Sequence, residues 1–105
     1  MIDDSQEYFA VKADGEGMTA FGIENGDTME FEVTDRIASG EIGAFVYGPE
    51  HKTACGLFKQ YENGNSYLLG NLEIREPISV DLNDPDFYVV GKLTAIIRDM
   101  RSKRY

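Results

Sequence analysis

Residues 14–33 read Asp14-Gly15-Glu16-Gly17-Met18-Thr19-Ala20-Phe21-Gly22-Ile23-Glu24-Asn25-Gly26-Asp27-Thr28-Met29-Glu30-Phe31-Glu32-Val33. Thr28 to Val33 alternates polar and apolar with period two, the mark of a strand with one buried face and its acids turned outward. Glu24-Asn25-Gly26-Asp27 before it is turn chemistry, and Asp14-Gly15-Glu16-Gly17 is a second break. Between the breaks, Met18 to Ile23 is short enough for a connector with one helical turn. The same rhythm of short apolar runs cut by Gly, Asn and Asp continues in both directions. Tyr8 to Val11 is a strand upstream. Downstream come Ile42 to Tyr47, closed by Tyr47-Gly48-Pro49-Glu50, then Lys52 to Tyr61 and Ser66 to Leu69 around Glu62-Asn63-Gly64-Asn65. An Asn-Gly between two such runs is a strong hairpin signal. Ile78 to Leu82 and the long run Phe87 to Ile97, with a bulge expected at Gly91, complete the set. These readings predict a mainly β fold of about seven strands with little helix.

The whole chain has 105 residues, of which 42% are hydrophobic and 28% charged, the usage of one ordinary globular domain. Net charge is −9, and residues 1–97 alone carry six basic and eighteen acidic side chains, a net of −12. That balance argues against a free-standing nucleic-acid surface. The basic stretch 99–105 follows a core expected over about 8–98, and together with Arg98 it reads as a solvated, frayed tail. No run approaches a membrane span, and the N-terminal residues lack the basic and apolar regions of a secretion signal. Cys55 is the single cysteine, which excludes an internal disulfide and fits a reducing cytoplasm. No cofactor is expected.

Few residues could carry chemistry alone. His51, the only histidine, sits in an apparent turn beside Pro49 and Glu50, and reads as a solvated loop residue. Asp14, Glu16, Glu24 and Asp27 cluster in sequence but lack the alternation of a calcium loop, so no metal site is predicted. Gly15 and Gly17 are not followed by the Lys-Ser/Thr of a phosphate loop.

Order and spacing say more. Gly15-x-x-Met18, the block Gly22-Ile23-x-x-Gly26-Asp27 and the closing Val90-Gly91-Lys92-Leu93 together resemble the C-terminal domain of LexA-type repressors, the self-cleaving serine peptidases that include phage repressors and UmuD-like proteins. The resemblance covers about Tyr8 to Arg98. It implies a serine directly before the methionine as nucleophile and a buried, neutral lysine on a later strand as general base. In this chain the serine position is Gly17 and the lysine position is Cys55, so both halves of the dyad are substituted. Met18 and Thr19 are the remaining cleft candidates. Thr19 lies two residues beyond the nucleophile position, and Lys59 stands about 13 Å along the strand from Cys55, at roughly 3.3 Å per residue.

The resemblance further implies a homodimer formed through the last strand, with Val89, Val90, Leu93 and Ile96 as self-association candidates. Operator DNA would be met only through an N-terminal DNA-binding domain absent from this sequence. A RecA-like co-protease or another protein partner, and a place in the SOS response, belong to the same implication. The primary expectation is a transcriptional regulator's self-association domain without peptidase activity. The alternatives are a self-cleaving Ser-Lys peptidase, natural or disabled, and a partner-binding β domain unrelated to peptidases.

Overall fold

The structure, a computed structural model, describes residues 7–98; the stretch 99–105 lies outside the described residues. Seven strands are present: β1 (Tyr8–Lys12), β2 (Thr28–Val33), β3 (Ile42–Tyr47), β4 (Lys52–Gln60), β5 (Ser66–Leu69), β6 (Ile78–Val80) and β7 (Tyr88–Ile97). One 3-10 turn covers Thr19–Phe21, inside the connector expected there. The strands form one antiparallel sheet in the order β1-β2-β7-β3-β4-β5-β6. The mainly β expectation is borne out.

Local chemistry explains each piece. On β2, Met29 and Phe31 are fully or almost fully buried while their acidic neighbours face out, as the period-two pattern requires. Phe9 of β1 stacks on Phe31 with ring centroids 5.1 Å apart. The Asn63-Gly64 turn closes the β4–β5 hairpin. The Tyr61 amide donates to the Asn65 carbonyl at 2.9 Å, and Gly64 takes φ +89°, which a side chain would strain.

Two apolar clusters form the core. Ala13, Met18, Ile23, Met29 and Phe31 make the first, against β1 and β2. Phe45, Phe58 and Leu68 make the second, under β3, β4 and β5, with Phe87 stacked on Phe45 at 6.0 Å. Strand β7 joins the two halves. Its first part pairs with β3 from Val46↔Tyr88 to Gly43↔Lys92, and its second part pairs with β2 from Val33↔Gly91 to Thr28↔Ile97.

The register slips by one residue on each side, leaving Val90 extra opposite β3 and Thr94 extra opposite β2. One bulge therefore lies a single residue from Gly91. Gly91 itself is demanded by close approach, because a Cβ there would lie 2.8 Å from the Phe9 ring and 2.9 Å from the Glu32 carbonyl oxygen.

One expectation fails. Arg98 does not belong to a solvated tail. Its Nε donates to Asp27 Oδ1 at 2.9 Å, and its Nη2 donates to Asp27 Oδ2 at 2.8 Å and to the Gly22 carbonyl at 3.1 Å. Asp27 is 2% exposed and also accepts the Glu24 amide. A buried carboxylate needs such partners, so the end of β7 is fastened to the turn before β2. The pairing holds the Arg98 guanidinium still further above its ordinary pKa, chiefly through the hydrogen bond to Asp27.

Candidate functional site

The turn after β1 places Gly17 and Met18 at the rim of a cleft of about 390 Å³ between that turn, β4 and the β5–β6 loop. Cys55, near the middle of β4, lines the same cleft. The fold therefore brings together the two positions that the LexA-type resemblance assigns to the dyad. Met18 is buried and also faces the cleft.

The centre of this arrangement is held by Arg75, from the β5–β6 loop. Its Nη1 donates to the Cys55 carbonyl oxygen at 3.2 Å and lies 4.0 Å from Met18 Sδ. A Cβ added at Gly17 would sit 3.4 Å from the same nitrogen and 3.5 Å from Arg75 Cδ. The guanidinium thus bridges Gly17 and Cys55.

The loop is pinned beneath it. The Asn71 amide donates to the Gly17 carbonyl at 2.6 Å, and Asn71 Nδ2 donates to Thr19 Oγ1 at 2.8 Å. Gly70 makes the path possible, since a Cβ there would come within 2.6 Å of Arg75 Cδ, Arg75 Nε and the Gly17 oxygen.

The electrostatics follow from burial. Desolvation raises the pKa of the Cys55 thiol, and the Arg75 cation opposes only part of that rise. The thiol is therefore protonated at neutral pH and is a poor nucleophile. Thr19 is no nearer to chemistry, because its hydroxyl donates to the Glu16 carbonyl at 3.0 Å and takes the Asn71 bond. Lys59 Nζ lies over the Tyr61 ring at 5.8 Å from its centroid, and its residue pairs with Tyr67 while Cys55 pairs with Ala44. His51 is exposed at the start of β4, with Nε2 3.7 Å from Asp86 Oδ1.

The self-association candidates divide. Val89 packs on the second apolar cluster and Leu93 on the first, while Val90 is half-buried. Ile96 is 40% exposed, and its neighbour Ile97 is 54% exposed. Among the described residues, the edge of β7 that faces β3 has no strand partner beyond Lys92.

Sequence reasoning missed Arg75. Its only signal was position: it is the one basic residue between Lys59 and Lys92, in a loop that leaves a predicted hairpin.

Comparison with known proteins agrees with this geometry. The Peptidase S24-like family model matches residues 1–94. The chain belongs to that family. The S24-like domain is similar to the LexA repressor of Thermosipho melanesiensis, 33% identical over 98 residues, which covers 93% of this chain and 47% of the relative. It is 31% identical to the LexA repressor of Thermosipho africanus over the same shares. The LexA repressor of Providencia rettgeri is 30% identical over 91 residues, 87% of this chain and 43% of the relative. The S24-like domain thus spans less than half the length of these curated relatives. Among its described residues no helix is long and apolar enough to cross a membrane.

Proposed function

We propose that this S24-like domain is the self-association module of a LexA-like transcriptional regulator, and that it does not cleave peptide bonds. The observation that carries the reading is the occupancy of the cleft. Gly17 offers no nucleophile, Cys55 offers a protonated thiol, and the Arg75 guanidinium between them presents only N–H donors. Hydrolysis by a serine–lysine dyad requires a hydroxyl and a neutral amine within hydrogen-bond reach, and neither stands at the Gly17 or Cys55 position.

Self-association is supported by the end of β7, where an open backbone edge coincides with exposed Ile96 and Ile97. Two copies meeting there about a two-fold axis would give paired DNA-binding heads the symmetry of a palindromic operator. The acidic body fits a domain held close to DNA without touching it, since phosphate repels it. In this reading operator contact belongs to a separate DNA-binding domain, any RecA-like partner would dock on the S24-like domain, and the regulator works in the cytoplasm.

The test is solution mass by light scattering over a concentration series. The expected result is a particle near twice 11.8 kDa that falls to the single-chain mass in Ile96→Asp. A monomer that persists at high concentration overturns the self-association reading, and cleavage of a peptide by the unaltered chain overturns the other half.

A further inference from the structure

We propose that the cleft has become a receptor for the C-terminal carboxylate of a peptide, with Arg75 as the recognising group. The inference rests on the reading that the cleft does not hydrolyse peptides. It starts from an imbalance of charge. In a chain of net −9, Arg36 and Arg98 each have a carboxylate within 4.0 Å, whereas Arg75 is the one arginine among the described residues with none, a condition it shares with Lys12, Lys52 and Lys59. A guanidinium carries five N–H donors. Only Nη1 is engaged, by the Cys55 carbonyl and the distant Met18 sulfur, so Nε and Nη2 make no hydrogen bond to a described residue. These two nitrogens form one planar edge of the fork, and a carboxylate's two oxygens match it in a bidentate pair.

The cleft selects the ligand further. Its volume of about 390 Å³ suits two or three residues or a small organic acid. Met18, Met29 and Ile78 supply apolar walls, while Thr53 and Tyr47 interrupt them with polar groups, which favours a peptide over a bare alkyl chain. Lys12 and Asp14 at the rim balance one another, leaving Arg75 as the net charge of the site. The acidic body repels an anion in proportion to its charge, so a monocarboxylate is admitted more readily than a phosphate dianion. Gly17 widens the cleft on the Nη1 side of the guanidinium, where a Cβ would sit 3.4 Å from that nitrogen.

The experiment titrates the 105-residue chain, followed by amide chemical shifts, with three probes: N-acetyl-Val-Ala-Leu as the free acid, the same peptide as its C-terminal amide, and hexanoate. The free acid is expected to shift the Gly17, Met18 and Cys55 amides saturably, with a dissociation constant at least tenfold below those of the amide and of hexanoate. Arg75→Met should abolish the preference for acid over amide, and Arg75→Lys should keep part of it. Equal affinity for acid and amide in the unaltered chain, or no binding of the acid, overturns the proposal without requiring any variant to fold. Hexanoate binding as tightly as the peptide overturns the peptide assignment. Mass spectrometry of the recovered peptide separates this failure from that of the underlying reading: an intact peptide that does not bind refutes the receptor alone, whereas a cleaved peptide refutes the non-hydrolysing cleft.

Discussion

Restoring the dyad is the sharpest perturbation, and the structure predicts that two substitutions are not enough. Gly17→Ser returns a hydroxyl, but a Cβ there already touches Arg75 Nη1 at 3.4 Å, and the hydroxyl must share the space beyond it. Cys55→Lys returns an amine, but on a residue whose carbonyl holds the same guanidinium at 3.2 Å. For a peptide bond to reach the pair, Arg75 must leave. That exit gives up one hydrogen bond from a charged donor, about 1.5–3 kcal/mol. At roughly 1.4 kcal/mol per factor of ten, the open cleft is then populated in roughly 1–10% of molecules, and the apparent rate falls by the same fraction. The double variant G17S/C55K should cleave a peptide containing an Ala-Gly bond about 10- to 100-fold more slowly than G17S/C55K/R75A. Both rates should rise with pH as the introduced amine loses its proton. Chromatographic product counts over days at pH 7 to 10 would read this. Equal rates in the double and triple variants would refute the blocking role of Arg75, and no cleavage by either would refute the assignment of Gly17 and Cys55 to the dyad positions.

Other outcomes follow from the same geometry. Cys55 has a raised pKa, so its thiol should react slowly with iodoacetamide at pH 7, and Arg75→Met should slow it further by removing the cation that opposes the rise. Because the unfolded thiol ionises first, the unfolded state binds fewer protons as pH climbs past its ordinary value of 9.0. The Cys55 contribution to stability is thus present below that pH and lost above it, and Cys55→Ala should flatten the alkaline part of a urea-denaturation series. Phe31→Ala removes a fully buried ring stacked on Phe9 and should cost about 3–5 kcal/mol by urea titration. Arg98→Met strips the buried Asp27 carboxylate of two hydrogen bonds and should lower the melting temperature, whereas Arg36→Met, at an exposed pair, should leave it nearly unchanged.

Most of the strand framework could be read from the chain because its causes are local. Period-two burial on Thr28–Val33, the Asn63-Gly64 turn and the Gly-Asn-Asp breaks each act over a few residues, and each held in the structure. The sheet order could not be read that way. The insertion of β7 between β2 and β3 depends on pairing Phe31 with Leu93 and Gly43 with Lys92, partners far apart in sequence. The same distance hid Arg98, whose fate is decided by Asp27, 71 residues away.

The cleft shows the same division. Resemblance located Gly17 and Cys55, because each is a departure at a definable position in a motif. Arg75 interrupts no motif, and only the fold brings it between Gly17 and Cys55. Its presence is coupled to Gly70, where a side chain would collide with its stem, whereas a Cβ at Gly17 would make only ordinary contact with its head at 3.4 Å. Cys55 in turn supplies the carbonyl that fixes the guanidinium and a thiol small and neutral enough to lie beside a cation, which a lysine ammonium at that position could do only against direct repulsion. Substitutions at Arg75, Gly70 and Cys55 should therefore not add independently. An arginine fastened to the Cys55 carbonyl, beside Gly70 and a pinned loop, puts fixed positive charge between Gly17 and Cys55.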